Sequence, residues 1–272
     1  MDLNAIKNRL EQMNKQTTAN STGGKSLFWK PSVGKEVVRV VPNKHNKQFP
    51  FTEMLFYYGI GQRVMASPQN WGEKDPIQEF TKQLRNSGDK DNWRLAKKLD
   101  AKTRIFAPIV VRGEEGEGVK LWQFGKKVYQ DFLNMAADEE IGDYTDIVGG
   151  RDIKLTTVGP EVTGTPYNDT SVGPSLKTST LSSDDKIAEN LLNNQPNPLD
   201  VFKKFTFDEV KAALQDFLSD GETEVSTTTT TNTSTSTPAS SNYSLDTNKS
   251  KSKADQFDDL FSDDKKKDDL PF

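Results

Sequence analysis

The chain has 272 residues, of which 33% are hydrophobic, with a mean hydropathy of −0.75 and a net charge of −4. No apolar run reaches the roughly 18 residues of a membrane span, and MDLNAIKNRLEQMNKQ at the start lacks the basic-then-apolar plan of a signal peptide. The absence of cysteine excludes disulfides, thiolate catalysis and every Cys-based metal site, so a cytoplasmic protein without cofactors is expected.

Charge is unevenly divided. Residues 1–133 carry 23 Lys and Arg against 14 Asp and Glu, whereas residues 134–272 carry 13 against 26. A basic half joined to an acidic one points to a polyanion-binding surface coupled to a segment that imitates a polyanion.

In chain order, Leu3, Ile6, Leu10 and Met13 recur at helical spacing behind Asp2, and NKQTTANSTGG then reads as a joint, so residues 1–22 are expected to form a docking arm. A core over 23–219 follows. KEVVRVVP (35–42) and FTEMLFYYGIG (51–61) read as strands. A 66–100 insertion is expected to pack through Trp71, Ile77, Phe80, Leu84 and Trp93. KTRIFAPIVVRGEEGEGVKLWQFG (102–125) reads as two strands around a Gly/Glu loop, and GKKVYQDFLNMAADEE as a helix with Val128, Phe132 and Met135 on one face. RDIKLTTVG (151–159) is a further strand, 160–186 a long irregular loop, and 206–218 a helix opened by a Thr206/Glu209 capping box. With 13 Ser or Thr in the 16 residues 226–241, the region 220–254 reads as a disordered linker before an acidic tail, 255–272. Short strands with interspersed helices indicate a mainly β fold with helices, built on a small barrel.

Side chains alternate along strands, so Ile105, Ala107, Ile109 and Val111 share one face, and Arg104, Phe106 and Arg112 the other. Lys120, Trp122 and Phe124 likewise oppose Val119, Leu121 and Gln123. The mixed cation and aromatic faces either pack as a second core layer or offer stacking platforms for unpaired bases, flanked by phosphate-seeking cations. Tyr57, Tyr58, Arg63, Trp71, Lys97, Lys98, Lys102, Lys126, Lys127 and Tyr129 extend the same mixture.

RVVPNKHNKQFPF (39–51), KTRIFAPIVVR (102–112), FGKKVYQDF (124–132) and KKFTFDEVKAAL near 203–214 resemble the single-stranded DNA-binding, helix-destabilising protein of large tailed bacteriophages, in order and spacing. The resemblance implies an OB-fold core, a partly open five-stranded barrel. It also implies an arm that docks on a neighbouring copy along the strand, with Lys7 and Arg9 meeting acidic surface and Leu3, Ile6 and Leu10 supplying apolar contact. Better-known members of that family carry a three-Cys, one-His zinc insertion. Residues 66–93 here have neither residue type, so no metal is expected.

Catalytic chemistry finds no support. His45 is the only histidine, RGEEGEG lacks the Lys-Ser/Thr of a phosphate loop, and carboxylate pairs such as Asp258 and Asp259 lie in the tail. The final Asp268, Asp269, Leu270, Pro271 and Phe272 resemble the partner-recruiting tip of bacterial single-stranded DNA-binding proteins. The expected function is cooperative, sequence-tolerant coating of single-stranded DNA in phage replication, recombination and repair, inside the host cytoplasm. Partner enzymes would be recruited by the tail. The alternative is an acidic-tailed protein scaffold or an RNA-binding module.

Overall fold

The two strands around the Gly/Glu loop pair through Ile105–Phe124, Ala107–Trp122 and Ile109–Lys120, and lie side by side within the sheet. The computed structural model describes residues 26–225 and, beyond them, Lys253, Phe257 and Leu260. The arm (Leu3, Ile6, Lys7, Arg9, Leu10) and the tail tip (Asp268, Asp269, Leu270, Pro271, Phe272) lie outside the described residues, as does most of the linker. Among the described residues there are eight strands and seven helices. The chain divides into two units. Unit 1 takes the described residues up to Met54 and Thr103–Phe202, and unit 2 takes Leu55–Lys102 and the described residues from Lys203 onward.

Unit 1 is built on β1 (Phe28–Trp29), β2 (Gly34–Val40), β5 (Lys102–Val111), β6 (Lys120–Phe124), β7 (Arg151–Val158) and β8 (Asp169–Thr178), ordered β1-β6-β5-β2-β7-β8. β1 runs parallel to β6 and the other neighbours along this path are antiparallel, which makes an open, mixed sheet. One face packs Val38, Val40, Ile105, Ala107, Ile109, Trp122, Phe124, Ile153 and Leu155 against Val128, Phe132 and Met135 of a helix, α3 (Lys126–Ala137). The opposite face carries a smaller cluster of Val41, Val110, Val119, Leu181 and Leu191, the last on α5 (Asp185–Asn193).

The segment 160–186 is not a long loop. It contains the short helix α4 (Pro160–Thr163) and the whole of β8. β8 pairs with β7 alone and is mostly half-buried, so it needs no apolar alternation, and an edge strand is where a proline such as Pro174 is tolerated. The backbone ladder specifies this strand more than its side chains do.

Unit 2 begins in β3 (Thr52–Ile60), which turns through Gly61 into β4 (Gln62–Ala66) and pairs Tyr57 with Met65 and Tyr58 with Val64. Gly61 has φ 61°, and a Cβ there would stand 2.7 Å from Ala213 Cβ of α7 (Phe207–Val225). Both the turn and the close approach require glycine. α1 (Pro76–Asn86) and α2 (Lys90–Lys98) are capped by Asp75 and Asp89, whose side chains accept from backbone amides in their first turns. α7 starts with the expected capping box, Glu209 N donating to Thr206 Oγ1 at 3.2 Å and Thr206 N to Glu209 Oε2 at 2.8 Å, and it runs to Val225 rather than stopping near 218. Ile77, Phe80 and Leu84 are buried with Val210, Leu214 and Leu218. Trp71 is half-buried, and Trp93, expected in the packing, is 52% exposed.

Candidate nucleic-acid interface

Register decides which hairpin side chains reach the surface. Ala107 pairs with Trp122 and Ile105 with Phe124, so the aromatic side of β6 is the aliphatic side of β5. Paired residues in an antiparallel ladder share a face. Trp122 is therefore 2% and Phe124 6% exposed; Trp122 meets Phe124 at 4.8 Å and the edge of Trp29 at 5.7 Å. Phe106 lies on the other face, fully buried, with Phe202 at 5.4 Å and Phe28 at 6.4 Å between ring centres. Phe28 remains 39% exposed, a surface aromatic in a two-residue strand too short to show alternation.

The cations also divide. Arg112 donates to Asp152 Oδ1 at 2.7 and 2.9 Å and to the carbonyls of Thr180 and Leu181 at 2.9 and 2.7 Å. Arg39, fully buried and not singled out from the sequence, donates to the same Asp152 oxygen at 3.0 Å, to the Asp146 carbonyl and to Ser179. Burial holds the Arg39 guanidinium below its ordinary pKa, against the pull of Asp152 in the other direction. Both arginines bind the sheet together. Lys120 is mostly covered and pairs with Glu114 at 3.0 Å.

Of the cations of unit 1 singled out from the sequence, those that reach the surface lie around the start of α3. A recess of about 260 Å³ is lined by Lys30, Trp122, Gln123, Phe124, Lys127 and Asp169, among others. Lys30, Lys126, Lys127 and Gln123 are exposed, and Arg104 is half-buried. A Cβ on Gly125 would stand 3.9 Å from Arg104 Nη1, which puts this guanidinium at the head of α3. No side chain caps that helix, so its first-turn amides are available to an anion. Lys127 meets Asp169 at 2.5 Å, but both side chains are about half exposed, and such pairs exchange readily. Tyr129 is half-buried, with its ring against Phe49 and Phe51. Its hydroxyl donates to Glu53 Oε1 at 2.6 Å, and burial with that contact raises its pKa.

Unit 2 separates its residues in the same way. Tyr57 is buried and donates to Asp75 Oδ2 at 2.8 Å, while Tyr58 is 40% exposed. Desolvation, reinforced by Asp75, pushes the Tyr57 phenol well above its ordinary range. Lys97 lies over the Trp93 ring at 5.3 Å, and Lys98 and Lys102 are exposed. Arg63 belongs to β4, but its side chain is outside the described residues.

An open β sheet with surface lysines, a half-buried arginine and a helix start without a side-chain cap has the chemistry of a polyanion-binding protein. Residues 32–219 match the family described as gp32 DNA binding protein like. The chain belongs to that family of phage-type single-stranded DNA-binding proteins. No curated protein matches the chain. Among the described residues no helix is long and apolar enough to cross a membrane.

Proposed function

We propose that this protein coats single-stranded DNA cooperatively and without catalysis, protecting intermediates of phage replication, recombination and repair in the host cytoplasm. The observation that carries the reading is the grouping of Lys30, Arg104, Lys126 and Lys127 at the uncapped start of α3, beside the recess bordered by Trp122 and Phe124. The lysines and amides take phosphates, and Phe28 offers a ring to a base that duplex DNA keeps stacked. Tyr58, Trp93, Lys97, Lys98 and Lys102 supply the same chemistry on unit 2.

Self-association is supported by a second recess in unit 1, about 650 Å³, whose walls include Phe49, Phe51 and Leu133 and whose lining includes Asp138, Glu139 and Asp143. Apolar walls with acidic groups complement an arm bearing Leu3, Ile6, Lys7, Arg9 and Leu10. The Asp268–Phe272 tip recruits replication and recombination proteins.

Titration with oligo(dT) and with a duplex of equal length, followed by tryptophan fluorescence at two salt concentrations, tests the DNA reading. Quenching by the single strand alone, weakened by salt, is the expected result. Equal responses to both forms, or none, would overturn it.

A further inference from the structure

One carboxylate stands among the cations of unit 1. The recess of about 260 Å³ beside α3 is lined by Lys30, Lys127 and Asp169, and Asp169 is the one acid in its lining. Asp169 opens β8, and its two oxygens accept from Lys127 Nζ at 2.6 and 2.5 Å. Lys127 is the second residue of α3, whose first turn carries two lysines and no acid. Cations in a first turn work against the helix dipole, so these lysines do not serve the stability of the helix. Lys30 and Lys126 are exposed and form no ion pair among the described residues. Lys127 is thus the lysine of this group whose charge the protein itself occupies.

The pair is not what holds β8 in place. The strand is laddered to β7 from Val158–Asp169 to Arg151–Thr178, the Thr157 and Thr170 hydroxyls meet at 3.0 Å, and β8 also packs on α3. Among the described residues the Asp169 side chain has no hydrogen-bond partner besides Lys127. With the two side chains 62% and 47% exposed, the pair adds little to stability.

We propose that Asp169 is an internal competitor for a DNA phosphate: it holds Lys127 while the site is empty and is displaced when a single strand binds. The inference rests on the single-strand reading of this surface and adds how the strength of that surface is set. A carboxylate offers two anionic oxygens to one ammonium group, as a phosphodiester does with its two non-bridging oxygens. When the strand arrives, Lys127 exchanges one for the other, and the freed carboxylate draws a cation from solution. That uptake cancels one of the cation releases that drive binding to nucleic acid. Asp169 therefore lowers the affinity and makes binding less sensitive to salt than the number of lysines implies.

The test uses the full-length protein and a fluorescently labelled oligo(dT) that holds a single copy, followed by anisotropy over a range of salt concentrations. Asp169→Asn should tighten binding at low salt by up to about fivefold, the worth of an exposed pair. It should also steepen the salt slope by up to about 0.7, one phosphate contact on a single strand. Asp169→Glu, which keeps the charge, should retain the slope of the unaltered protein. In a Lys127→Ala background, Asp169→Asn should leave the slope where Lys127→Ala alone sets it. An unchanged slope and affinity in Asp169→Asn would overturn the proposal while leaving the DNA reading intact. Weaker binding with a lower unfolding midpoint would make the pair a structural brace and overturn it as well. A steeper slope that persists without Lys127 would show that Asp169 only repels the strand, again against the proposal. Absence of single-strand binding by the unaltered protein would overturn the DNA reading and this inference together.

Discussion

In unit 1 the buried polar centre is a guanidinium: Arg39 is fully buried, and Asp152 joins it to Arg112. In unit 2 it is a carboxyl: Asp75, 1% exposed, caps α1 and accepts from Tyr57 and Ser67. Both sites tie distant segments together through hydrogen bonds, but they consume opposite charges. Unit 1 spends arginines internally, Arg151 included, which donates to the carbonyls of Ile141, Leu176 and Glu140. A planar fork of donors suits several carbonyls at once, whereas a lysine keeps its head in water. The lysines are thus left for the surface, and a count of basic residues overstates the cations that unit 1 offers to a phosphate chain.

Removing the shared carboxyl of unit 1 should have the largest effect. Asp152→Ala leaves Arg39 buried without its counter-ion and should cost about 3–5 kcal/mol in denaturant unfolding. A loss below about 1 kcal/mol would mean the carbonyl contacts alone hold the guanidinium. Asp75→Ala removes a cap and the carboxylate that accepts from the buried Tyr57 and Ser67 hydroxyls, for about 2–4 kcal/mol. Gly61→Ala forces a left-handed turn on a residue with a Cβ and drives it into Ala213, at about 2 kcal/mol.

Alkaline pH sharpens the comparison. The Tyr57 pKa is raised in the folded state, so its contribution is complete below the ordinary phenol value of about 10 and is lost as pH rises above it. Tyr57→Phe should flatten that fall for unit 2, and an unchanged slope would place the effect on Tyr144 or Tyr129 in unit 1, whose pKa values are also raised. The smallest effect is expected at the exposed lysines. Lys126→Ala should reduce the salt slope of single-strand binding by about 0.7, the value of one phosphate contact, with stability unchanged. An unaltered slope would remove Lys126 from the interface.

Much of the secondary structure was legible because its signals are local. The Thr206/Glu209 box, the Val128, Phe132, Met135 stripe and the Gly/Glu loop each depend on residues a few positions apart. β8 was not legible, since a half-buried edge strand is held by backbone ladders that any side chain permits. At the site, the sequence marked a region mixing cations and rings, and the family resemblance in its motifs agrees with the match over 32–219.

Which of those residues face outward was settled only by tertiary structure. Alternation assigns two faces to each strand but cannot say how the faces of two strands combine. That depends on register, and pairing Ala107 with Trp122 places the indole in the core. Phe28 and Arg39 show the same limit, one an exposed ring in a very short strand and the other a charge inside a sheet. Phe257 is the furthest case. In the sequence it is one aromatic among aspartates, and only a socket formed by α1, α2 and α7, more than thirty residues earlier, makes it part of a core. Composition and periodicity therefore determine what a segment can become, while the partner surface that a contact requires exists only once remote segments have been brought together.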